Sequence, residues 1–151
     1  MHIRRARASE APVLAALALR SKAHWGYPPE FLDRFARGLG MSAEVLAAND
    51  VQVGESDGDV RGFYTLLYRP DRTVLDDLWL EPDEIGRGSG RALFEHARDR
   101  AAATGSRVLE WDADPHAVGF YERMGAVRVG ETPSTLIPGR ALPRLRITVD
   151  G

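Results

Sequence analysis

The chain has no cysteine at any of its 151 positions. That removes disulfides, thiolate metal sites and a cysteine nucleophile together. Long apolar runs are missing too: Met1-His2-Ile3-Arg4-Arg5 turns polar at once, and nothing later approaches the roughly 20 apolar residues of a membrane span. Nor does one sign of charge dominate. Lys and Arg number 20 against 22 Asp and Glu, a net of -2, which draws neither nucleic acid nor an anionic membrane, so any anion site must be local. Repeats and low-complexity tracts are absent as well. With 44 % hydrophobic and 28 % charged residues, the composition is that of a globular protein, expected to form one cytoplasmic domain over 1–151.

Apolar periodicity organises the chain. Ile3 among arginines reads as a short edge strand, and Ser9, with Glu10 and Pro12 behind it, as the N-cap of a helix carrying Val13, Leu14, Leu17 and Ala18 to about Lys22. Pro29 opens a second helix that turns Phe31, Leu32 and Phe35 inward and ends at Gly38, and Ser42 to Ala48 adds a further helical turn or two. From Val51 the period becomes two. Strands over Val51–Glu55, Val60–Tyr68 and Thr73–Leu80 are joined by turns at Asp57-Gly58-Asp59 and Arg69–Arg72. Beyond a glycine loop, Leu93, Phe94, Ala97 and Ala101 share one face of a helix that Thr104-Gly105 closes. Arg107–Trp111 is a fifth strand, parallel to the third strand of the meander because its crossover is right-handed. A short helix runs from Pro115 to about Met124, Val127 and Val129 mark a sixth strand, and a loop over Thr132–Pro143 leads to a seventh at Leu145, Ile147 and Val149. The result is a mixed sheet with helices on its faces.

The stretch Ile85-Gly86-Arg87-Gly88-Ser89-Gly90-Arg91 joins the third meander strand to the long helix. Three alternate glycines let consecutive N–H groups point into one concavity, and the following helix adds its unpaired amides and positive dipole end. A phosphate or pyrophosphate site results, with Arg87 and Arg91 as cations on its rim. It is not a Walker loop, since no lysine follows the glycines, and a dinucleotide fingerprint needs glycine where Arg91 stands.

The loop resembles the acetyl-CoA motif of the GNAT superfamily of N-acetyltransferases, which reads Gln or Arg, two residues, Gly, one residue, Gly or Ala; Gly88 and Gly90 take the glycine places. A second segment, Asp114-Pro115-His116-Ala117-Val118-Gly119-Phe120-Tyr121-Glu122-Arg123-Met124-Gly125-Ala126, is similar to that family's asparagine-x-x-alanine-x-x-phenylalanine-tyrosine-x-x-x-glycine-phenylalanine run. Both lie in family order, one strand apart. The resemblance implies an α/β fold of about seven strands, mostly antiparallel with a central parallel pair, flanked by about four helices. It also implies acetyl transfer from acetyl-CoA to a primary amine by direct attack in a ternary complex, with no metal. Ile85 stands in the Gln/Arg place and Asp114 in the asparagine place, which costs a side-chain contact at one and adds a negative charge near an anionic ligand at the other; His116 or Arg123 would offset that charge.

Carried over residue by residue, the resemblance gives the backbone of Leu78, Trp79 and Leu80 to the pantetheine arm, the Leu78 N–H facing the thioester oxygen. Cofactor contacts fall on Ile85, Gly86, Arg87, Gly88, Ser89, Gly90 and Arg91, and on Asp114, His116, Phe120, Tyr121 and Arg123. Tyr121 is the expected general acid. Asp76, on the face of Leu78 and Leu80 by period two, is the candidate base, with His24 a second. His24, Trp25 and Tyr27 form the acceptor pocket, although the two aromatics serve equally as hydrophobic anchors. The acceptor stays open among polyamines, amino acids, antibiotics and peptide or protein amines, and a homodimer is the family-level expectation. A different class also stays open, a CoA-binding sensor or interaction module without turnover, as does a nucleotide-binding domain.

Overall fold

The computed structural model describes residues 1–149; the last two residues of the expected 1–151 domain lie outside them. Seven strands are present there: β1 (His2–Arg5), β2 (Asp50–Ser56), β3 (Asp59–Tyr68), β4 (Thr73–Leu80), β5 (Val108–Asp112), β6 (Val127–Pro133) and β7 (Ala141–Thr148). They form one sheet in the order β1-β2-β3-β4-β5-β7-β6, with β4–β5 parallel and every other pair antiparallel. The helices are α1 (Ala11–Ala23), α2 (Pro29–Gly38), α3 (Ala43–Ala48), α4 (Ser89–Ala103) and α5 (Val118–Arg123). That is one more than the expected four: Ser42 caps α3 by accepting from the Val45 amide at 3.2 Å, so even this short segment closes into a helix. No helix among the described residues is long and apolar enough to cross a membrane.

Two boundaries differ from the sequence expectation. Ser9 is not the N-cap of α1. Residues Ala8–Glu10 form a 3-10 turn instead. Its N-cap amide, that of Arg7, donates to the Glu10 carboxylate at 2.7 Å while Glu10 pairs with Arg4 at 2.8 Å; α1 itself starts without a side-chain cap. The loop before the last strand is also shorter than Thr132–Pro143. β6 extends to Pro133 and β7 begins at Ala141, because ladder pairing continues through Thr132↔Leu142 and Pro133↔Ala141.

The sheet has a core on each face. Leu66, Leu75, Leu93, Phe94, Leu109, Trp111 and Leu145 pack beneath α4 and α5, while Leu14, Leu17, Phe31, Phe35, Val51, Val53 and Phe63 pack beneath α1 and α2. Each such side chain contributes about 1.5–3 kcal/mol by leaving water. At Gly62 the sheet meets α4 so closely that an added Cβ would sit 2.8 Å from Leu80 Cδ2, 2.9 Å from Leu93 Cδ1 and 3.0 Å from the Trp79 carbonyl. Gly62→Ala is therefore expected to lose about 1–3 kcal/mol in urea denaturation. Gly130→Ala, where a Cβ meets nothing within 4 Å, should stay within about 0.5 kcal/mol of wild type.

β4 places the site. It pairs with β5 only at Thr73↔Leu109 and Val74↔Glu110, after which the two strands part. Its ladder with β3 slips by one residue, from Leu66↔Leu75 to Thr65↔Asp77, leaving Asp76 as a bulge.

Candidate active site

The head of α4 is built to receive an anion. Gly86 (φ 83°) and Gly88 (φ 87°) are left-handed, a conformation glycine adopts without strain, and a Cβ at either would meet only open space. The first helical bond runs from the Ala92 N–H to the Gly88 carbonyl at 3.1 Å. Ahead of it, the amides of Gly86, Gly88, Ser89, Gly90 and Arg91 find no hydrogen-bond partner among the described residues. Glu84 braces the loop from outside, accepting from the Ser89 hydroxyl at 2.6 Å and from Arg61 Nε at 3.0 Å. Gly90 is a packing glycine as well: a Cβ there would lie 3.2 Å from Leu80 and 3.3 Å from the Phe120 ring.

Beside this cradle runs the open edge of β4. The Glu81 amide donates to Arg61 O across β3 at 2.9 Å. Antiparallel alternation then turns the N–H and C=O groups of Leu80 and Leu78 the other way, toward the gap left by β5. Between cradle and gap lies a crevice of about 580 Å³.

Of the residues expected from sequence, Asp76, Leu78, Trp79, Leu80, Ile85, Gly86, Gly88, Gly90, Arg91, Asp114, His116, Phe120, Tyr121, Arg123 and Trp25 all line it. Arg87 and Ser89 do not. Arg87 turns into a small polar pocket with Asp57, Asp59 and Glu84, and the Ser89 hydroxyl is spent on Glu84. His24 and Tyr27 do not line the crevice themselves: His24 is exposed, edge-on to Trp25 at 4.8 Å, and Tyr27 lies behind the wall, bonded to the crevice residue Asp114. Sequence reasoning missed Ser21, Trp111, Asp112 and, above all, Asp77 as crevice residues.

Alternation already sets Asp77 with Trp79, away from Leu78 and Leu80; what it could not show is that this side too opens on the crevice. Regular alternation puts Asp76 with Leu78 and Leu80, but the extra residue lets Leu75 join those leucines in the α4-side core and leaves Asp76 exposed. Asp77 goes with Trp79 on the other face, accepting from the indole Nε1 at 3.1 Å. Burial and the neighbouring Asp76 charge lift the Asp77 carboxyl to about 6. Asp76, though exposed, is crowded by the crevice walls, and that partial desolvation raises it too. Across the crevice Tyr121 is buried against Trp111, ring centroids 4.9 Å apart, and burial with the charges of Asp114 and Asp77 raises its hydroxyl well above the ordinary phenol range. At working pH it keeps its proton.

Asp114 is not a free charge facing the cofactor. The Lys22 ammonium binds its Oδ2, as does the Tyr27 hydroxyl at 2.9 Å, and His116 supplies a backbone N–H at 2.9 Å and ring Nδ1 at 2.8 Å. Burial alone would raise this carboxyl; the Lys22 and His116 bonds outweigh it and hold the group at about 2. Lys22 is buried too, its ammonium surrounded by the rings of Tyr27 (4.8 Å), Phe31 (5.5 Å), Phe35 (5.5 Å) and Trp79 (5.7 Å). Arg140, from the β6–β7 loop, donates to the Tyr27 hydroxyl at 2.8 Å. Trp25 stacks on His116 at 4.9 Å and 11° at the rim. The negative charge introduced by Asp114 is thus met from α1 by the Lys22 ammonium, with His116 supplying hydrogen bonds, while Arg123 is not among its partners.

A family model, the Acetyltransferase (GNAT) family, matches residues 16–126. The streptothricin acetyltransferase of Streptomyces lavendulae is 35 % identical over 97 residues, 60 % of this chain and 50 % of that protein. A peptidyl-lysine N-acetyltransferase, YjaB of Escherichia coli (strain K12), is 34 % identical over 77 residues, 51 % of this chain and 50 % of its own. These alignments span only about half the length of either relative. Among solved structures, a GCN5-related N-acetyltransferase from Rhodopseudomonas palustris superposes with a TM-score of 0.83 at 23 % identity, over 98 % of this chain and 95 % of that one. The PaiA N-acetyltransferase of Thermoplasma acidophilum, in complex with coenzyme A, gives 0.78 at 16 % identity, over 97 % and 98 %. With a phosphate-sized amide cradle, a parted β4 edge and a family match over most of its length, this chain belongs to the acetyltransferase (GNAT) family.

Proposed function

We propose that the protein transfers an acetyl group from acetyl-CoA to a primary amine, with Asp77 as the base and Tyr121 as the acid. The observation that supports this best is the convergence on one crevice of two unsatisfied backbone sets, the amides at the head of α4 and the Leu78–Leu80 edge. The first suits a diphosphate; the second suits the amides of a pantetheine arm, which would add to β4 as a strand does. The donor set therefore fits CoA. Bound acetyl-CoA supplies the thioester that an amine attacks. Relatives named for acetylating streptothricin and peptidyl-lysine support an amine as acceptor.

The rest falls to the side chains. An alkylammonium has an ordinary pKa near 10.4 and must shed a proton before attack. Asp77 is half-buried, ionised above about pH 6, and directed into the crevice, so its carboxylate receives that proton. Asp76 shares the crevice, and its charge adds to the burial that keeps Asp77 basic. Leu78 N–H offers a donor to the thioester oxygen, an interaction of about 3 kcal/mol in barrier height. The Tyr121 hydroxyl stands protonated for the departing sulfur.

Thiol release from acetyl-CoA across a panel of amines tests this reading. Amine-dependent release upholds it, and CoA binding without any release turns the protein into the sensor class instead. Lowering pH protonates Asp77, so wild-type activity is expected to fall more steeply below about pH 6 than that of Asp77→Asn. With an acceptor whose pKa is near 8, the variant should retain about one hundredth of the rate at pH 7.5. A variant with an unchanged rate and profile removes Asp77 from the mechanism.

A further inference from the structure

Half-buried carboxylates elsewhere in this molecule have cations. Asp50 pairs with Arg100 at 2.8 Å, Glu10 with Arg4, Glu84 with Arg61, and Asp114 with Lys22. Asp77 is the exception: half-buried, it has no cationic partner within ion-pair distance among the described residues, yet it lines the crevice, as does the exposed Asp76, which has none either. A third carboxylate faces them. The parallel register Thr73↔Leu109, Val74↔Glu110, continued two steps, sets Asp112 level with Asp76 across the widening gap. Asp112 takes the Thr132 hydroxyl at 2.7 Å and has Arg144 at 3.6 Å; Asp76 is raised first by desolvation, against which Arg69 acts, with the Asp112 charge adding a smaller push.

A second, independent feature lies beneath Asp77. Thr65 stands directly across the ladder from it and is 1 % exposed; its hydroxyl, turned toward the Asp77 carboxyl, completes no hydrogen bond among the described residues. Trp79 occupies one oxygen of Asp77, Oδ1, and the other has no partner there. Asp77 thus faces the crevice with one carboxylate oxygen uncommitted and the Thr65 hydroxyl packed behind it, and that oxygen matches a donor of an –NH3⁺ group. Among the described residues these carboxylates are not gathered into a cluster that could hold a metal ion; a positive charge spread along a ligand would complement them. The molecule already holds one ammonium with a carboxylate and aromatic rings, its own Lys22, and the crevice repeats that combination with Trp25 and Trp79 on its wall.

We propose that the acceptor is a small amine bearing at least two ammonium groups, the reacting nitrogen at Asp77 and the second between Asp76 and Asp112. A single amine leaves the outer pair of carboxylates repelling each other; a diamine relieves that repulsion along its length. A crevice of about 580 Å³ suits such a small molecule alongside the cofactor arm. The assignment rests on the acetyl-transfer reading only for the chemical step after binding, so its test reads binding first.

Calorimetric titration of the CoA-loaded protein with 1,4-diaminobutane and with n-butylamine makes the comparison, repeated with the six-carbon pair. The diamine is expected to bind about tenfold more tightly or better, an advantage that shrinks as salt is raised and largely disappears in Asp112→Asn. Equal affinity for monoamine and diamine in the wild type overturns the proposal. So does a diamine preference that survives both Asp112→Asn and Asp76→Asn. If diamines bind with the expected preference but no thiol is released from acetyl-CoA, the two-ammonium site stands and the transferase reading is what fails.

Discussion

Lys22→Met is expected to destabilise the protein by about 3–5 kcal/mol, because it strands a largely buried carboxylate without its counter-ion. In a domain of this size that is a fall of roughly 10 °C in the melting midpoint. Asp114 keeps its bonds from Tyr27 and His116 in such a variant, but both are weaker replacements for an ammonium enclosed by four aromatic rings. Adding Asp114→Asn should recover more than half of the loss, since an amide in the same place no longer needs a cation. Acid titration supplies an independent check. The folded Asp114 carboxyl at about 2 lies below its ordinary 3.8, so its stabilisation is complete above about pH 4 and is lost as pH falls toward 2. Asp114→Asn should lack that acid limb. Equal stability of Lys22→Met and wild type in urea denaturation means that the pair contributes nothing net.

Lys22 shows where a sequence is legible and where it is not. The glycine loop and the segment through Phe120-Tyr121 are local: their meaning depends on spacings of a few residues, which the chain states directly. The strands of the meander were equally plain, since apolar alternation over Val60–Tyr68 has no helical rival. Lys22 and Asp114 are 92 positions apart, and no pattern around either announces the other. Lys22 sits in the last turn of α1, where a solvated lysine is the ordinary expectation. A signal existed only in composition: a lysine followed closely by Trp25, Tyr27, Phe31 and Phe35 has the makings of an aromatic enclosure. The bulge at Asp76 was hidden for a different reason. Period-two reasoning assumes an unbroken ladder, and one inserted residue exchanges the faces of everything beyond it. At Asp76 that slip takes the carboxylate off the face of Leu78 and Leu80 and leaves it exposed, whereas Asp77 shares the face of Trp79 by ordinary alternation.

Tyr121→Phe is expected to lower kcat about 10²- to 10⁴-fold, the range for losing a positioned proton donor. The effect should be separable from any structural one. The hydroxyl makes no hydrogen bond among the described residues, and the ring is fixed by Trp111 and Phe94 at 4.9 and 5.6 Å; phenylalanine keeps both contacts. The melting midpoint and the affinity for CoA should therefore stay near wild type while turnover falls. Because burial and two nearby carboxylates keep Tyr121 protonated well above neutral pH, the loss should be the same factor across the neutral range. The steepening below about pH 6 belongs to Asp77 and should persist in the variant. Both signatures are needed to assign the role. A thiol has an ordinary pKa near 8.5, and a thiolate leaves without assistance far more readily than an alkoxide does. If kcat is unchanged in Tyr121→Phe, sulfur departs unprotonated, and the buried hydroxyl serves only to shape the end of the crevice.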